Sequence, residues 1–546
     1  MAENDHETHA GEQEEESIVS TTKFQVVIVG GGPVGMGLAV DLGLRGITVK
    51  VIERYTEIQN IPKGQNLMQR TLEHFYFWGI ADELRAARVM PNNYPIGGVT
   101  AYHDMMNEYW VAPPGREQVR KFFFQDNDRL PQYQMEKVLR ARAAQLPNVE
   151  LLLGWQAEKI EQDANGVRVT IAERNGSGKE VIEAEYVVGC DGARSVVRDQ
   201  VGIDKGGRDH DQAMVLAVFR STELHEGFKR FPERTTYRAM HPDAKGYWQF
   251  FGRIDVGEGW FFHAPVPKDT TRDNFDFHGL IQKVAGFKFK AEFDYVGFWD
   301  MRIAIAEQYQ VGRVFIAGDA AHSHPPYGGF GVNNGLEDAR NLGWKIAATL
   351  QGWGSDKLLA SYSDERRAIF KETGEDFIGK VIENERKFLE TYDPKKDKAA
   401  FEEAWNNHEE NMGGRIGRYE PNFEGSAVIW GPEGGKNTAH GRHMVKARAG
   451  HHLTPRPLST GKDVYEELGT GFTLIALDSD DATQSAFESA AKALKVPFKV
   501  IRDSYAGSRE EYESKLILVR PDQYVVWTGN EKPADAQAVL AKAIGR

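Results

Sequence analysis

The sequence predicts an α/β fold in which one parallel sheet is assembled from separated segments, with strand-rich stretches interleaved between them. Three observations carry this. A strand–glycine–helix–strand unit spans Phe24–Arg54, a second buried strand runs into Asp191-Gly192, and a third runs into Gly318-Asp319. Each places an acid or glycine at a strand's carboxyl end, the edge at which open α/β sheets bind ligands.

At 546 residues the chain is long enough for two or three domains, and 41% hydrophobic with 11% aromatic residues is ample for packed cores. Seven acids in residues 1–22, with no Lys or Arg, account for more than half of the net charge of −13, so that balance points to no nucleic-acid partner. This leader lacks an apolar core and a basic start, so it is expected to be disordered and not a signal peptide. No apolar run is long enough to span a membrane. Cys190 is the only cysteine, which excludes an internal disulfide and any multi-cysteine metal site; no metal is expected, and cytoplasm is the default compartment.

Taken in order, Val26–Val29 reads as a buried strand and Gly30-Gly31-Gly32-Pro33-Val34-Gly35 fits G-x-G-x-x-G. A helix follows through Leu44, and a strand at Thr48–Ile52 delivers Glu53 and Arg54. This is a complete Rossmann-like βαβ unit: glycines for the tight turn and close pyrophosphate approach, a helix start for the phosphates, an acid for a ribose. Lys63 and Arg70 lie in a loop before a helix that Thr71 is placed to cap. Leu130–Leu139 is helix-like and carries Gln132, Val149–Leu153 opens a hairpin-like run, and Val167–Glu185 reads as two strands about Asn175–Gly178. Tyr186–Cys190 is a further strand, closed by Asp191.

The stretch Gly312–Ile346 has the clearest chemistry. A strand at Val314–Ala317 ends in Gly318-Asp319, a loop holds Pro325, Pro326, Gly328, Gly329 and Gly331, and a helix begins near Val332–Asn334 and stops by Gly352. Glycines let backbone approach a ligand, prolines stiffen the loop, and the helix start offers N–H groups and a positive dipole end to an anionic ligand.

Between these fingerprints, Pro91–Phe124 and Gly206–Phe298 are rich in aromatics, and Tyr247–Ala264 reads as two strands around Gly257. Trp248 and Phe250 share one face, Tyr247, Gln249 and Phe251 the other. Thr391–Thr460 reads as an irregular connection. Strands at Gly471–Ala476, Phe498–Ile501, Lys515–Val519 and Tyr524–Thr528, with a helix at Asp481–Ala493, make a separate C-terminal unit.

The three fingerprints, over about Phe24–Glu390, resemble the single-component flavin aromatic hydroxylases of the p-hydroxybenzoate hydroxylase and phenol hydroxylase type. The resemblance implies non-covalent FAD, with NADPH or NADH as donor, O2, and a phenolic substrate hydroxylated through a flavin hydroperoxide. Gly30, Gly32, Pro33, Val34, Gly35, Glu53 and Arg54 then fall at the ADP-binding unit. Lys63 and Gln132 are further cofactor contacts, and Asp191 serves FAD and nicotinamide. Gly318-Asp319 supplies the ribityl-binding acid, and Pro326, Gly328, Gly331, Val332 and Asn333 lie beside the flavin. Lys63 replaces an arginine of the pattern, turning a bidentate phosphate contact into a point charge. The pattern's Asp, a proton acceptor, is Gln65 here. His103, Tyr109 and Tyr247 are catalytic candidates on chemistry alone.

The expected organisation is an FAD-binding domain from 23–90, 125–205 and 300–390, interleaved with a β-sheet substrate domain from 91–124 and 206–299. A connection at 391–460 leads to a domain at 461–546 that resembles the thioredoxin-like tail of phenol hydroxylases without Cys-x-x-Cys. That tail is expected to be dispensable for redox chemistry, and a homodimer is left open. A flavin halogenase is disfavoured because Trp-x-Trp-x-Ile-Pro is absent; a dehydrogenase leaves Gly318–Asn333 unexplained; a flavin-carrying scaffold would not need the loop glycines and Asp319.

Overall fold

The computed structural model describes residues 19–546, with side chains described except at 19–22, 208–211 and 408–414. The acidic leader lies almost wholly outside the described residues. In chain order come β1 (Val19–Val29), α1 (Pro33–Leu44), β2 (Val49–Glu53), α2 (Gln69–Phe77), β3 (Gly98–Tyr102), α3 (Gln132–Ala144), β4 (Val149–Leu153) and β5 (Lys179–Gly189). Next are β6 (Lys205–Arg220), β7 (Thr236–Met240), β8 (Gln249–Arg253), β9 (Gly259–Pro267) and β10 (Glu292–Ala306). Then follow β11 (Val314–Ile316), α4 (Phe330–Leu350), α5 (Asp356–Glu372) and α6 (Lys398–Arg418).

The first sheet has the parallel order β11-β5-β1-β2-β4. Val29 pairs with Gly189 and Gly189 with Ile316, so the three fingerprinted strand ends stand side by side at one edge. The C-terminal halves of β1 and β5, at Val26–Val29 and Val187–Val188, and β11 are apolar runs buried on both faces, as a helix-covered parallel sheet requires. Two details differ from the sequence reading. β4 is a parallel neighbour of β2, and the hairpin is Trp155–Gln162 with Val167–Glu173. The strand at 186–190 is no separate element: β5 is one strand whose first half pairs antiparallel with Val167–Glu173 and whose second half pairs parallel with β1.

The second sheet runs β10-β6-β9-β8-β7-β3, with short strands added at each end. Alternation sends Phe251, Trp260 and Phe262 into a core below Phe219, while Phe250, Phe261 and His263 face the first sheet's ligand edge. β10 continues to Ala306, past the expected boundary at 299, because its second half pairs with Lys205–Gly207 and with His322-Ser323. The roof is thereby hydrogen-bonded to the loop that follows β11.

Helix α2 begins at Gln69, so Thr71 lies inside it and does not cap it; its hydroxyl donates to Asn333 Oδ1 at 2.6 Å. Helix α4 begins at Phe330, slightly earlier than its apolar spacing suggests, because Gly329 supplies a left-handed N-cap (φ +69°). The stretch 391–460 is not irregular throughout. It holds α6, whose Phe401 and Trp405 pack on Tyr102 and Tyr109, and a two-stranded sheet of Tyr419–Phe423 with Asn437–His440.

In the C-terminal unit, β12 (Phe472–Leu477) pairs parallel with β13 (Phe498–Asp503) and antiparallel with β14 (Leu516–Val519), which pairs with β15 (Val525–Gly529). This is a thioredoxin-like sheet without a cysteine pair. It is not a loosely tethered tail. Arg520 donates to both oxygens of Glu365 at 2.9 Å, and Glu365 also receives Lys345 Nζ at 2.8 Å and Ser426 Oγ at 2.6 Å. All four residues are buried. Trp344 of α4 meets Phe472 edge-on at 5.9 Å.

Removing one partner of such a network leaves a buried charge uncompensated, a loss of about 3–5 kcal/mol. Arg520→Ala is expected to lower unfolding stability by that order, measured by denaturant titration of the FAD-loaded protein. A midpoint equal to wild type would show that the C-terminal contact contributes nothing to the fold.

Candidate active site

The phosphate-type turn is shaped by space. Gly30 has φ +105°, and a Cβ there would lie 2.3 Å from the Cys190 carbonyl oxygen; one on Gly35 would lie 1.9 Å from the Gly30 oxygen. Gly32 differs: nothing approaches its Cβ position within 4 Å, so the turn is open where a pyrophosphate would pass. α1 starts at Pro33, whose missing N–H costs nothing in a first turn, and the other first-turn N–H groups face that opening. Glu53 accepts from the N–H of Gly31 at 2.6 Å and of Tyr55 at 2.8 Å. One bond per carboxylate oxygen leaves lone pairs for ribose hydroxyls.

At the neighbouring strand ends, Asp191 accepts from Ser195 Oγ at 2.5 Å and from the N–H of Val197 at 3.2 Å, and burial raises its pKa. Its side chain therefore builds the turn, leaving the backbone at Gly192–Arg194 to meet a ligand. Arg198 bridges the Ala193 and Ala320 carbonyls at 3.1 Å each, fastening the Asp-Gly loop to the Gly-Asp loop. The Asp319 carboxylate is exposed to the cavity, and among the described residues no donor reaches it. The Asp319 carbonyl accepts from Lys205 Nζ at 2.7 Å, and burial draws that lysine's pKa down to about 8.

Gly318 (φ +59°) is held by Asp338, a buried carboxylate that accepts from Gly318 N–H at 3.0 Å, His322 Nε2 at 2.7 Å and Arg366 Nε at 2.7 Å. Burial pushes the Asp338 carboxyl up, but His322 and Arg366 outweigh it and hold it below the usual range. Asp338 and Arg366 belong to no short motif, so the sequence reading passed over them.

These edges open into a cavity of about 1380 Å³ between the two sheets. Of the expected cofactor residues, Arg54, Lys63, Gln132, Asp191, Asp319, Pro326, Gly328, Gly331 and Val332 line it, whereas Gly30–Gly35, Glu53 and Gly318 are not among its lining residues. Asn333 is used differently. Its side chain accepts from Met68 N–H at 2.8 Å and donates to the Asn66 carbonyl at 2.8 Å, so only its backbone is offered to a ligand.

None of the three catalytic candidates lines the cavity. His103 is an exposed loop residue at φ +66°, 3.1 Å from Asp104 and against the His241 ring. The Tyr109 hydroxyl donates to Glu402 at 3.0 Å. Tyr247 precedes β8 and is buried in the core that includes Tyr327 and Phe250, so it does not share a face with Phe251 as the alternation predicts. Two histidines do line the cavity. His263 lies between Phe250 and Trp299, and burial takes its pKa to about 3. His324 bonds the Pro325 carbonyl through Nδ1 at 2.5 Å, while its buried Nε2 has no partner, near Gly331. Its place in the His-Pro-Pro loop was the signal for it. Gln65, too, is buried at the cavity wall with its Nε2 unpaired.

The open turn at Gly32, the unpaired Asp319 carboxylate and the Phe330–Asn333 helix start together fit a dinucleotide ending in a planar ring system. The FAD binding domain family matches residues 23–375, and the aromatic-ring hydroxylase C-terminal family matches residues 446–546. The 12-dehydrotetracycline 5-monooxygenase/anhydrotetracycline 6-monooxygenase of Streptomyces rimosus subsp. rimosus is 30% identical, covering 93% of this chain and 95% of its own. The FAD-dependent monooxygenase apdD of Emericella nidulans is 27% identical, covering 95% and 90%. The rebeccamycin biosynthetic enzyme RebC with reduced flavin superposes with a TM-score of 0.81 at 25% identity, over 96% of this chain and 100% of that one. The flavin-dependent monooxygenase PieE, in complex with FAD and substrate, shares the fold at 22% identity, with a TM-score of 0.83 over 96% and 99%. The chain belongs to the FAD-dependent aromatic-ring monooxygenases. Among the described residues no helix is long and apolar enough to cross a membrane.

Two outcomes follow from this geometry. Asp319→Ala is expected to weaken FAD binding by about 1–3 kcal/mol, one unmade hydrogen bond at a buried ribityl chain, while apo-protein melting stays unchanged; equal FAD affinity would contradict the assignment. The second concerns pH. His74, His241, His263, His324 and His443 have pKa values of about 4, 4, 3, 4 and 4, chiefly because burial disfavours the cation. Unfolding releases each to about 6.5, so the unfolded chain binds more protons between these limits. The stability they contribute is complete above pH ~6.5 and falls as pH drops toward ~4. Melting temperature is expected to be lower at pH ~5 than at pH ~7; equal values would show that these rings are not neutral in the fold.

Proposed function

We propose that the protein uses NADPH or NADH and O2 to hydroxylate a phenolic, fused-ring aromatic substrate, in the cytoplasm where that donor is available. The observation that carries this reading is the continuity of one cavity from Asp319 and Val332 to the aromatic face of the roof. Its volume of about 1380 Å³ exceeds the ~300–1,000 Å³ of an ordinary small-molecule pocket, as holding cofactor and substrate together requires. Trp248, Phe250, Phe261 and Trp299 offer a flat, apolar wall to a planar ring. The names of similar full-length proteins, a tetracycline-pathway monooxygenase among them, point to fused rings.

When bound, FAD supplies the redox chemistry, taking hydride from the nicotinamide and activating O2 for transfer to the ring. The chain's own residues supply orientation and dryness. The N–H groups at the start of α4 and its dipole favour negative charge beside Gly331–Asn333. Trp248 is a fixed wall: it stacks on Tyr327 at 4.6 Å, donates its N–H to the Tyr327 hydroxyl at 2.8 Å, and donates Nε1–H to Glu385 at 3.0 Å. A phenol reacts faster as its proton leaves, and His324 takes the place of the three earlier candidates as acceptor. Its Nδ1 bonds the Pro325 carbonyl at 2.5 Å, and its Nε2, buried at the cavity wall without a partner, is the atom left to accept from a ring hydroxyl.

The test is NADPH and NADH oxidation across a panel of phenols, naphthols and larger hydroxylated fused rings, with product masses. At least one fused-ring phenol is expected to give coupled turnover and a product one oxygen heavier. His324→Phe is expected to slow that turnover by at least about tenfold without loss of FAD. Coupled product from none of the phenols would overturn the function, and an unchanged rate in the variant would remove His324 from it.

A further inference from the structure

The cavity wall farthest in sequence from the cofactor fingerprints is built from the segments 96–129 and 377–419, and it is one-sided in charge. Among its lining residues are Arg116, Arg129 and Arg415, and no Asp or Glu. The carboxylates that do line the cavity are at 191, 199, 204, 300 and 319, in the strand ends and loops around Lys205 and in β10. Arg129 is accounted for: it donates to Asn66 Oδ1 at 2.7 Å and to the Arg253 carbonyl at 3.0 Å.

Arg116 and Arg415 are not. Among the described residues neither guanidinium has an ion pair or a hydrogen-bond acceptor. Arg116 opens a short 3-10 segment (Arg116–Phe122) that packs against α6, and Arg415 lies in the last turn of α6, so the fold brings both to one corner. Tyr419, one turn beyond Arg415, lines the same corner, and among the described residues its hydroxyl acts on Arg116. Among the described residues the acid acting on Arg415 is Glu385, whose oxygens are already taken by Arg238 Nη1 at 2.6 Å and Trp248 Nε1 at 3.0 Å. Burial pulls both arginines below their ordinary pKa, Arg116 to about 10, which still leaves them charged at neutral pH. Both side chains are half-buried, and a cation partly withdrawn from water without an anion destabilises a fold. Such violations are retained at functional sites, where the ligand completes them.

We infer that Arg116 and Arg415 form an anion-binding corner of the substrate chamber and select an aromatic substrate that carries a carboxylate. The guanidinium fork suits a carboxylate through paired N–H donors, and low local dielectric strengthens the bond. A ligand so held is anchored at one end by charge, and its ring lies along the aromatic wall toward Val332. This inference rests on the reading that the chamber takes an aromatic ring, and the test separates the two.

The probes are 1-hydroxy-2-naphthoate, its carboxamide and 1-naphthol, titrated into FAD-loaded enzyme and followed by the flavin absorbance change. Wild type is expected to bind the acid at least about tenfold tighter than the amide, with the preference shrinking as salt rises. Arg116→Gln and Arg415→Gln are each expected to reduce that preference, and the double variant to abolish it, while 1-naphthol affinity stays within about twofold. Because each substitution removes an unpaired, half-buried cation, melting temperature should hold or rise, which a merely structural arginine would not allow. Equal affinity for acid and amide in wild type, or a preference that survives the double variant, overturns the corner and leaves the aromatic chamber standing. Absence of binding by all three probes overturns both.

Discussion

Val34 sits where three chain segments meet with no room for one more methyl group. A Cβ on Gly318 would lie 2.9 Å from its side chain and one on Gly335 would lie 2.5 Å away, while the turn it belongs to is closed by the contact of Gly35 with the Gly30 carbonyl. The β1–α1 turn, the end of β11 and the second turn of α4 are thereby fixed to one another by contact. Asp338, one turn along α4 from Gly335, adds the polar half of the lock by holding the Gly318 N–H, and Arg366 from α5 neutralises it. The consequence is functional. The open phosphate turn, the Asp319 carboxylate and the helix start at Phe330 are the parts an extended dinucleotide must touch together, and their separations cannot drift independently.

The same helix carries the fold's second commitment. α4 presents Gly335 and Asp338 toward the sheet, and Arg340, Asn341, Trp344 and Lys345 toward the C-terminal unit and the network on Glu365. Arg340 reaches both Asp41 of α1 and the Pro521 carbonyl, so a residue of the first βαβ unit and one of the last sheet share a single guanidinium. Arg70 does likewise for Glu337 and the Asp522 carbonyl. Buried ionic networks are costly unless every member is satisfied. The thioredoxin-like unit has lost any dithiol chemistry, yet it completes several of these networks. Through these contacts it braces α4 from the side opposite the sheet.

How much of this could be read from the chain depended on how local each feature is. The strand ends and their glycines were legible because a turn's steric demands fall on consecutive residues: Gly30–Gly35, Asp191-Gly192 and Gly318-Asp319 stand where the sequence placed them. The alternation of Phe250 against Phe251 was legible too, since a strand's period is fixed, but Tyr247 and Trp248 precede the strand and Tyr247 joins the core that holds Phe250. Which residues meet the cavity was not legible, because packing decides it, and Tyr247 is buried in the core beside Phe250 without lining the cavity. His103 and Tyr109 failed for the same reason: a titratable side chain carries no mark of where its loop will lie. Helix α6 was hidden by its glycines and charges, and it forms because Phe401 and Trp405 find Tyr102 and Tyr109 some 300 residues earlier. The pairing of Glu365 with Arg520 is equally non-local, and no spacing rule could have shown it.

The account's central claim is that one cavity holds reduced flavin and an aromatic ring together, so that an oxygen atom passes from O2 to carbon inside it. Turnover under isotopically heavy O2 in ordinary water, with whichever fused-ring phenol gives coupled oxidation, tests this most directly. The account predicts a product containing a single heavy oxygen atom, with no label exchanged from water, and little hydrogen peroxide. Product oxygen derived from water, or nicotinamide oxidation that yields only peroxide with every ring tested, would contradict it.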